Sequence, residues 1–154
     1  MQKGTNRDLR QRERVRRRHR LPGGATLIDD SYNANPGSLN AAIDTLVAAS
    51  GENWLVLGDM RELGDDAEAL HAEAGRRAKA AGIARLYALG PLSRATVAAF
   101  GEGGVHFDDH DALATALRTQ LHATVRVLVK GSRGSAMDRV VAALLPQEGE
   151  SDAA

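Results

Sequence analysis

The sequence predicts an α/β domain: a Rossmann-like, mostly parallel sheet of about five or six strands flanked by helices. Three observations lead there. Short apolar runs alternate with segments of helical spacing along the whole chain, the pattern of βαβ units with right-handed crossovers. Most of these runs end in Gly or in a Gly-containing loop, as turns above a parallel sheet require. Aromatic residues make up only 3% of the 154 residues, so the core must be built from Ala, Leu and Val, small enough for helices to pack closely on a sheet.

Pro22-Gly23-Gly24 is a turn, and Ala25 to Asp30 follows as the first strand. Asn35-Pro36 reads as N-cap and first helical residue, and Leu39, Ala42, Ile43, Leu46 and Val47 repeat at helical spacing. Trp54 to Leu57 is the second strand, ending at Gly58-Asp59. A long helix is expected from about Asp66 to Ala81, with Ala67, Leu70, Ala74, Ala78 and Ala81 inward and Gly82 as its stop. Arg85 to Leu89 is the third strand, followed by a short helix burying Ala95, Val97 and Phe100. Gly101-Glu102-Gly103-Gly104 precedes a weak fourth strand, Val105 to Phe107, so it is a turn. Leu113, Ala116, Leu117 and Leu121 mark the next helix, and Val125 to Val129 the fifth strand. Met137, Val140, Val141, Leu144 and Leu145 mark the last helix, expected to start at Ser135 with Asp138 completing a capping box.

The charges are unevenly placed. Residues 1–20 hold nine Lys/Arg against Asp8 and Glu13, while the remainder carries 11 basic and 18 acidic residues. With almost no apolar side chains to bury, 1–20 is expected to be a disordered basic leader, 21–146 the folded domain and 147–154 a flexible tail. The leader lacks aromatic residues for base stacking, which argues against nucleic acid as a partner. It has no apolar stretch of a secretory signal, and no run is long enough to span a bilayer. Cysteine is absent, which excludes disulfides and thiolate metal sites and is compatible with a cytoplasmic location.

In such sheets ligands bind beyond the carboxyl ends of the strands. The first strand ends in Asp29-Asp30-Ser31-Tyr32-Asn33-Ala34-Asn35. A carboxylate there suits ribose hydroxyls, or a cation held through water, and equally suits shaping the turn; for Asp30 both readings stand, and for Asn35 helix capping is favoured. After the second strand, Asp59 would face the same crevice, whereas Arg61 and Glu62 are expected to be solvated or mutually paired. His71, a lone helical histidine, is ordinarily structural. After the fifth strand come Lys130-Gly131-Ser132-Arg133, where a lysine and an arginine in a glycine-rich bend favour an anion. No phosphate loop, dinucleotide fingerprint, nucleophile elbow or metal-ligand spacing occurs. A phospho-receiver module shares the five βα units, the early acids and the late lysine, but its phosphorylated aspartate follows the third strand, which here ends in Gly90-Pro91.

Taken together, Asp29 to Pro36, Gly58-Asp59-Met60-Arg61-Glu62-Leu63-Gly64 with His71, and Leu128 to Arg133 resemble the C-terminal domain of the peptidoglycan Mur ligases, in the branch that adds D-alanyl-D-alanine. The resemblance covers about Leu21 to Leu145, and a sibling ligase of the family is the alternative. It implies an ATP- and magnesium-dependent ligase of the cytoplasm, whose first domain binds UDP-N-acetylmuramoyl-tripeptide and whose central domain holds the phosphate loop and magnesium. The third domain, the one resembled here, brings ATP and D-alanyl-D-alanine together. By that resemblance Asp30, with Asn33 and Asn35, would contact ATP, as would an arginine from the Arg14 to Arg20 stretch. Lys130, Ser132 and Arg133 would meet the dipeptide, and Asp29, Tyr32, Asp59 and His71 would line the crevice. The basic leader in place of the usual interdomain approach points to a truncated gene, a misplaced start or an excised domain. Without the central domain, the isolated chain is expected not to ligate.

Overall fold

The computed structural model describes residues 17–146. Its strands are β1 (Arg17–Arg20), β2 (Thr26–Asp30), β3 (Glu52–Gly58), β4 (Arg85–Leu89), β5 (Gly104–Phe107) and β6 (Val125–Lys130). Its helices are α1 (Pro36–Ala48), α2 (Ala67–Ala81), α3 (Ser93–Phe100), α4 (His110–Gln120) and α5 (Asp138–Leu144). The strands form one sheet in the order β1-β2-β6-β3-β4-β5. All neighbours are parallel except β1, which runs antiparallel to β2 with Arg17 opposite Asp29.

β1 corrects the expected boundary at Leu21. Arg17–Arg20 belong to the sheet, an edge strand whose arginines remain exposed and whose charge suits an edge that must not recruit other strands. Residues 1–16 of the expected leader and the 147–154 tail lie outside the described residues.

The sheet is covered on both faces, as parallel sheets require. Side chains alternate along each strand, so Leu27, Trp54, Val56, Val127 and Val129 pack with Leu113 and Leu117 of α4 and with Val140, Val141 and Leu144 of α5. The alternate set, Ile28, Leu55, Leu57, Leu86, Ala88 and Leu128, packs against α1, Ala74 and Ala78 of α2, and Phe100 of α3. Three of the five aromatic residues stack in one row on the first face: Trp54 lies 5.6 Å from Tyr87, and Tyr87 6.1 Å from Phe107. Arg126 reaches across to the carbonyl of Leu46 at the end of α1, 2.7 Å away. Burial, and then the nearby charge of Arg18, lower its pKa from the usual arginine value.

Helix starts follow the sequence in one case and depart from it in another. Asn35 accepts from the Ser38 N–H at 2.9 Å while Ser38 Oγ accepts from the Asn35 N–H at 3.1 Å, a reciprocal cap before Pro36. At the chain's last helix, however, Arg133–Ser135 form a 3-10 turn, Ala136 adopts a left-handed conformation, and α5 begins only at Asp138. The expected capping box at Ser135 is absent because its hydroxyl donates to the carbonyl of Ser132 instead.

Two buried stripes are also rotated from expectation. α2 buries His71, Ala74, Gly75 and Ala78, leaving Ala67, Leu70 and Ala81 only partly covered. α3 buries Ser93, Thr96 and Phe100 rather than Ala95 and Val97. The two helices pack so closely that a Cβ on Gly75 would stand 2.2 Å from the Thr96 carbonyl oxygen. Hydrophobicity alone does not reveal a contact made by glycine and backbone. Among the described residues no helix is long and apolar enough to cross a membrane.

Candidate ligand-binding rim

The connections put a topological switch point at the strand ends where the sequence placed its candidate site. β2 and β3 are followed by helices on one face, and β6, which lies between them, by a helix on the other. Neighbouring strands whose chains leave in opposite directions open a gap above their carboxyl ends. The loops that meet there are 30–35, 59–62 and 130–135.

Asp30 and Lys130 are register partners at the ends of β2 and β6. Lys130 Nζ lies 2.9 Å from Asp30 Oδ2 and donates to the carbonyl of Asn33 at 2.8 Å. Their side chains are 1% and 5% exposed. Lys130 therefore stands at the floor of the rim, where it cannot meet a dissolved anion as an open point charge. Ser132 extends the same connection. Its hydroxyl accepts from the Arg61 N–H at 2.8 Å and donates to the Ala34 carbonyl at 3.3 Å, so one side chain joins all three loops.

Asp59 sits on this rim but does not face Asp30, contrary to expectation. Its carboxylate turns toward β4, accepting from the N–H groups of Leu92 (3.1 Å) and Ser93 (2.8 Å) and from the Ser93 hydroxyl (2.7 Å). It supplies the negative charge and acceptors that the start of α3 needs. Asp29 is likewise engaged locally, accepting from the N–H and hydroxyl of Ser31. His71 is fully buried and lies outside the crevice. Its Nδ1 is 2.7 Å from the Ala67 carbonyl and its Nε2 accepts from the Met60 N–H at 2.9 Å. It fastens the 59–62 loop to α2.

The side chains that look outward are fewer. Tyr32 is 48% exposed, and Asn33, Asn35, Arg61 and Arg133 are exposed as well. Arg61 was expected only to be solvated or paired with Glu62. It is exposed, and its side chain also lies across Gly134, where an added Cβ would come within 2.8 Å of Nε. The glycine at 134 was the one sign of this contact in the sequence. A hollow of about 630 Å³ lies at the opposite end of the sheet among Leu21, Pro22, Ala25, Leu121 and Leu144. It is lined mainly by apolar side chains, with Arg118 as its one charged residue, and is remote from the rim groups, so the rim is the better candidate for chemistry.

Fold and rim together define a doubly wound domain with a candidate ligand site at its topological switch point. The chain belongs to the Mur ligase family, matching its glutamate ligase domain over residues 13–133. It is 48% identical over 120 residues to the UDP-N-acetylmuramoyl-tripeptide–D-alanyl-D-alanine ligase of Escherichia coli K12, covering 77% of this chain and 26% of that protein. The ligase of the same name from Mycobacterium bovis is 34% identical over 162 residues, covering 85% and 32%. Among solved structures, the MurF ligase of Thermotoga maritima in complex with ADP superposes with a TM-score of 0.74 at 26% identity, covering 82% of this chain and 29% of that one. A separately determined ligase domain from Haemophilus ducreyi shares the fold, with a TM-score of 0.60 at 21% identity over 81% of this chain and 92% of its own. The chain thus spans about a quarter to a third of the length of the curated relatives it matches.

Proposed function

We propose that this chain is the ATP- and amino-acid-binding domain of a ligase that joins D-alanyl-D-alanine to UDP-N-acetylmuramoyl-tripeptide, in the cytoplasmic stage of peptidoglycan synthesis that sustains cell shape and division. The observation that carries this reading is the clasp of Lys130 and Ser132. It unites the loop after β2, assigned to the nucleotide, with the loop after β6, assigned to the dipeptide. A phospho-receiver role has no comparable support, since the Asp59 carboxylate is buried and hydrogen-bonded to the start of α3.

In the reaction, the terminal carboxylate of the tripeptide takes the γ-phosphoryl group of ATP, releasing ADP. The dipeptide amine then attacks the acyl phosphate, forming the amide bond as phosphate leaves and the nitrogen loses its proton. Most of the barrier is met by aligning amine and carbonyl and by stabilising the negative charge. On this reading Asn33 and Asn35 present amides to ATP, and Asp30 contributes from the floor of the loop, its Oδ2 held by Lys130. Lys130 and Ser132 act on the dipeptide indirectly, by fixing the bend that projects Arg133. A bound magnesium ion would offset phosphate charge. Among the described residues no three His, Asp or Glu side chains are grouped to hold one, and Asp29 and Asp59 are committed to neighbouring donors. These residues do not fit a resident metal, whose ligands this reading assigns to the rest of the ligase.

The decisive experiment replaces the matching C-terminal segment of the E. coli relative with this chain. The expected result is ADP release dependent on both tripeptide substrate and dipeptide from the chimera, and none from this chain alone. A folded chimera that releases no ADP would overturn the assignment. Substrate-dependent ADP release from this chain alone would overturn the division of labour.

A further inference from the structure

We propose that Arg61 is a second oxyanion-binding arm beside Arg133, and that the two guanidinium groups together grip the carboxylate of the incoming dipeptide; the identity of that ligand rests on the function proposed above. Arg61 is held at two points against the loop that carries Arg133. Its backbone N–H donates to Ser132 Oγ at 2.8 Å, and its side chain crosses Gly134, whose missing Cβ would otherwise stand 2.8 Å from Nε and 2.9 Å from Cδ. Glu62, next along, takes a left-handed conformation with φ of 62°, which bends the chain sharply just after Arg61. An exposed arginine ordinarily loses much side-chain freedom when it binds. Here the backbone anchor and the glycine surface have already restricted it.

Both guanidinium groups lack a carboxylate. Among the described residues neither Arg61 nor Arg133 forms an ion pair, whereas Arg76, Arg77 and Arg94 each pair with an acid elsewhere on the molecule and Lys130 pairs with Asp30. Of the acids in this loop cluster, Asp59 is turned away to Leu92 and Ser93, Asp30 is held by Lys130, and the exposed Glu62 forms an ion pair with neither arginine. Two exposed cationic forks on adjoining loops, with no ion pair among the described residues, fit a planar, doubly accepting anion, which arginine recognises bidentately. The shared chemistry is an oxyanion, and a dipeptide carboxylate and a phosphate are its two sources.

The test follows the Nε–Hε resonances of Arg61 and Arg133 in this chain by NMR during titration at low salt with D-alanyl-D-alanine, D-alanyl-D-alaninamide or inorganic phosphate. The expected result is that the free dipeptide shifts both resonances and the amide shifts neither. Arg61→Ala should weaken dipeptide binding about tenfold, the usual effect of losing one charge-assisted contact. Arg61→Lys should restore it only in part, and the melting temperature of Arg61→Lys should match that of the parent. If the parent binds the dipeptide and Arg61→Ala binds it equally well, the second arm is wrong and the proposed function survives. If phosphate but not the dipeptide shifts the pair, the oxyanion site stands and its assignment to the dipeptide is lost. Absence of any response in the parent overturns the inference outright.

Discussion

Asp30 and Lys130 face each other across neighbouring parallel strands, partners in register whose charged atoms lie 2.9 Å apart with almost no contact with water. They are a hundred residues apart in the chain, and their pairing closes the floor beneath the rim. A buried ion pair gives little net stability against an apolar pair of equal volume, but removing one partner strands the other charge. We therefore expect Lys130→Met to lower the unfolding free energy by about 3–5 kcal/mol, measured by urea denaturation. The double replacement Asp30→Leu with Lys130→Met should recover much of that loss. A single Lys130→Met costing under about 1 kcal/mol would show that the pair is solvated and that the floor is open.

A second pairing sets the other side of the rim. Gly90 has φ of 110°, and a Cβ there would lie 2.5 Å from the Asp59 carboxylate. Gly90→Ala thus meets both a strained backbone and a blocked side chain, and we expect a loss of about 2–3 kcal/mol. Asp59→Ala removes three accepted hydrogen bonds from the start of α3 and should cost about 2 kcal/mol. The steric part of the Gly90→Ala cost vanishes once the carboxylate is gone. The double variant should accordingly be more stable than the sum of the two single losses, by at least about 0.5 kcal/mol. Strict additivity would mean that the two residues do not touch.

The parts of this molecule legible in the sequence were those written in periodicity. Five strands and five helices follow from alternation and helical spacing, because both faces of the sheet are buried and each strand needs apolar residues at its centre. β1 carries no such signal: Arg17, Arg18, His19 and Arg20 form an edge whose side chains need no burial. The candidate site residues were chosen by position rather than by contact. Strand ends pointed to Asp30, Asp59 and Lys130, but their orientations depend on neighbours 33 to 100 residues away. Sequence spacing holds no record of those distances. Arg61 was missed for the same reason, since its placement depends on Gly134 and Ser132 from the opposite end of the chain.

His71 shows how a side chain with catalytic potential is used structurally. Its Nδ1 faces the Ala67 carbonyl, which only accepts, and its Nε2 faces the Met60 N–H, which only donates. Those two neighbours fix the neutral form with the proton on Nδ1. Nitrogen chemical shifts of the imidazole should report that tautomer. A proton on Nε2 would set two donors against each other and break the tie to the loop carrying Arg61. We expect His71→Ala to destabilise the fold by about 2–4 kcal/mol, combining a lost partner for a buried N–H with a cavity under α2. In the chimera, that variant should leave the KM for ATP unchanged once the protein is folded, because the ring does not reach the crevice. A large rise in that constant at full folding would place His71 at the site after all.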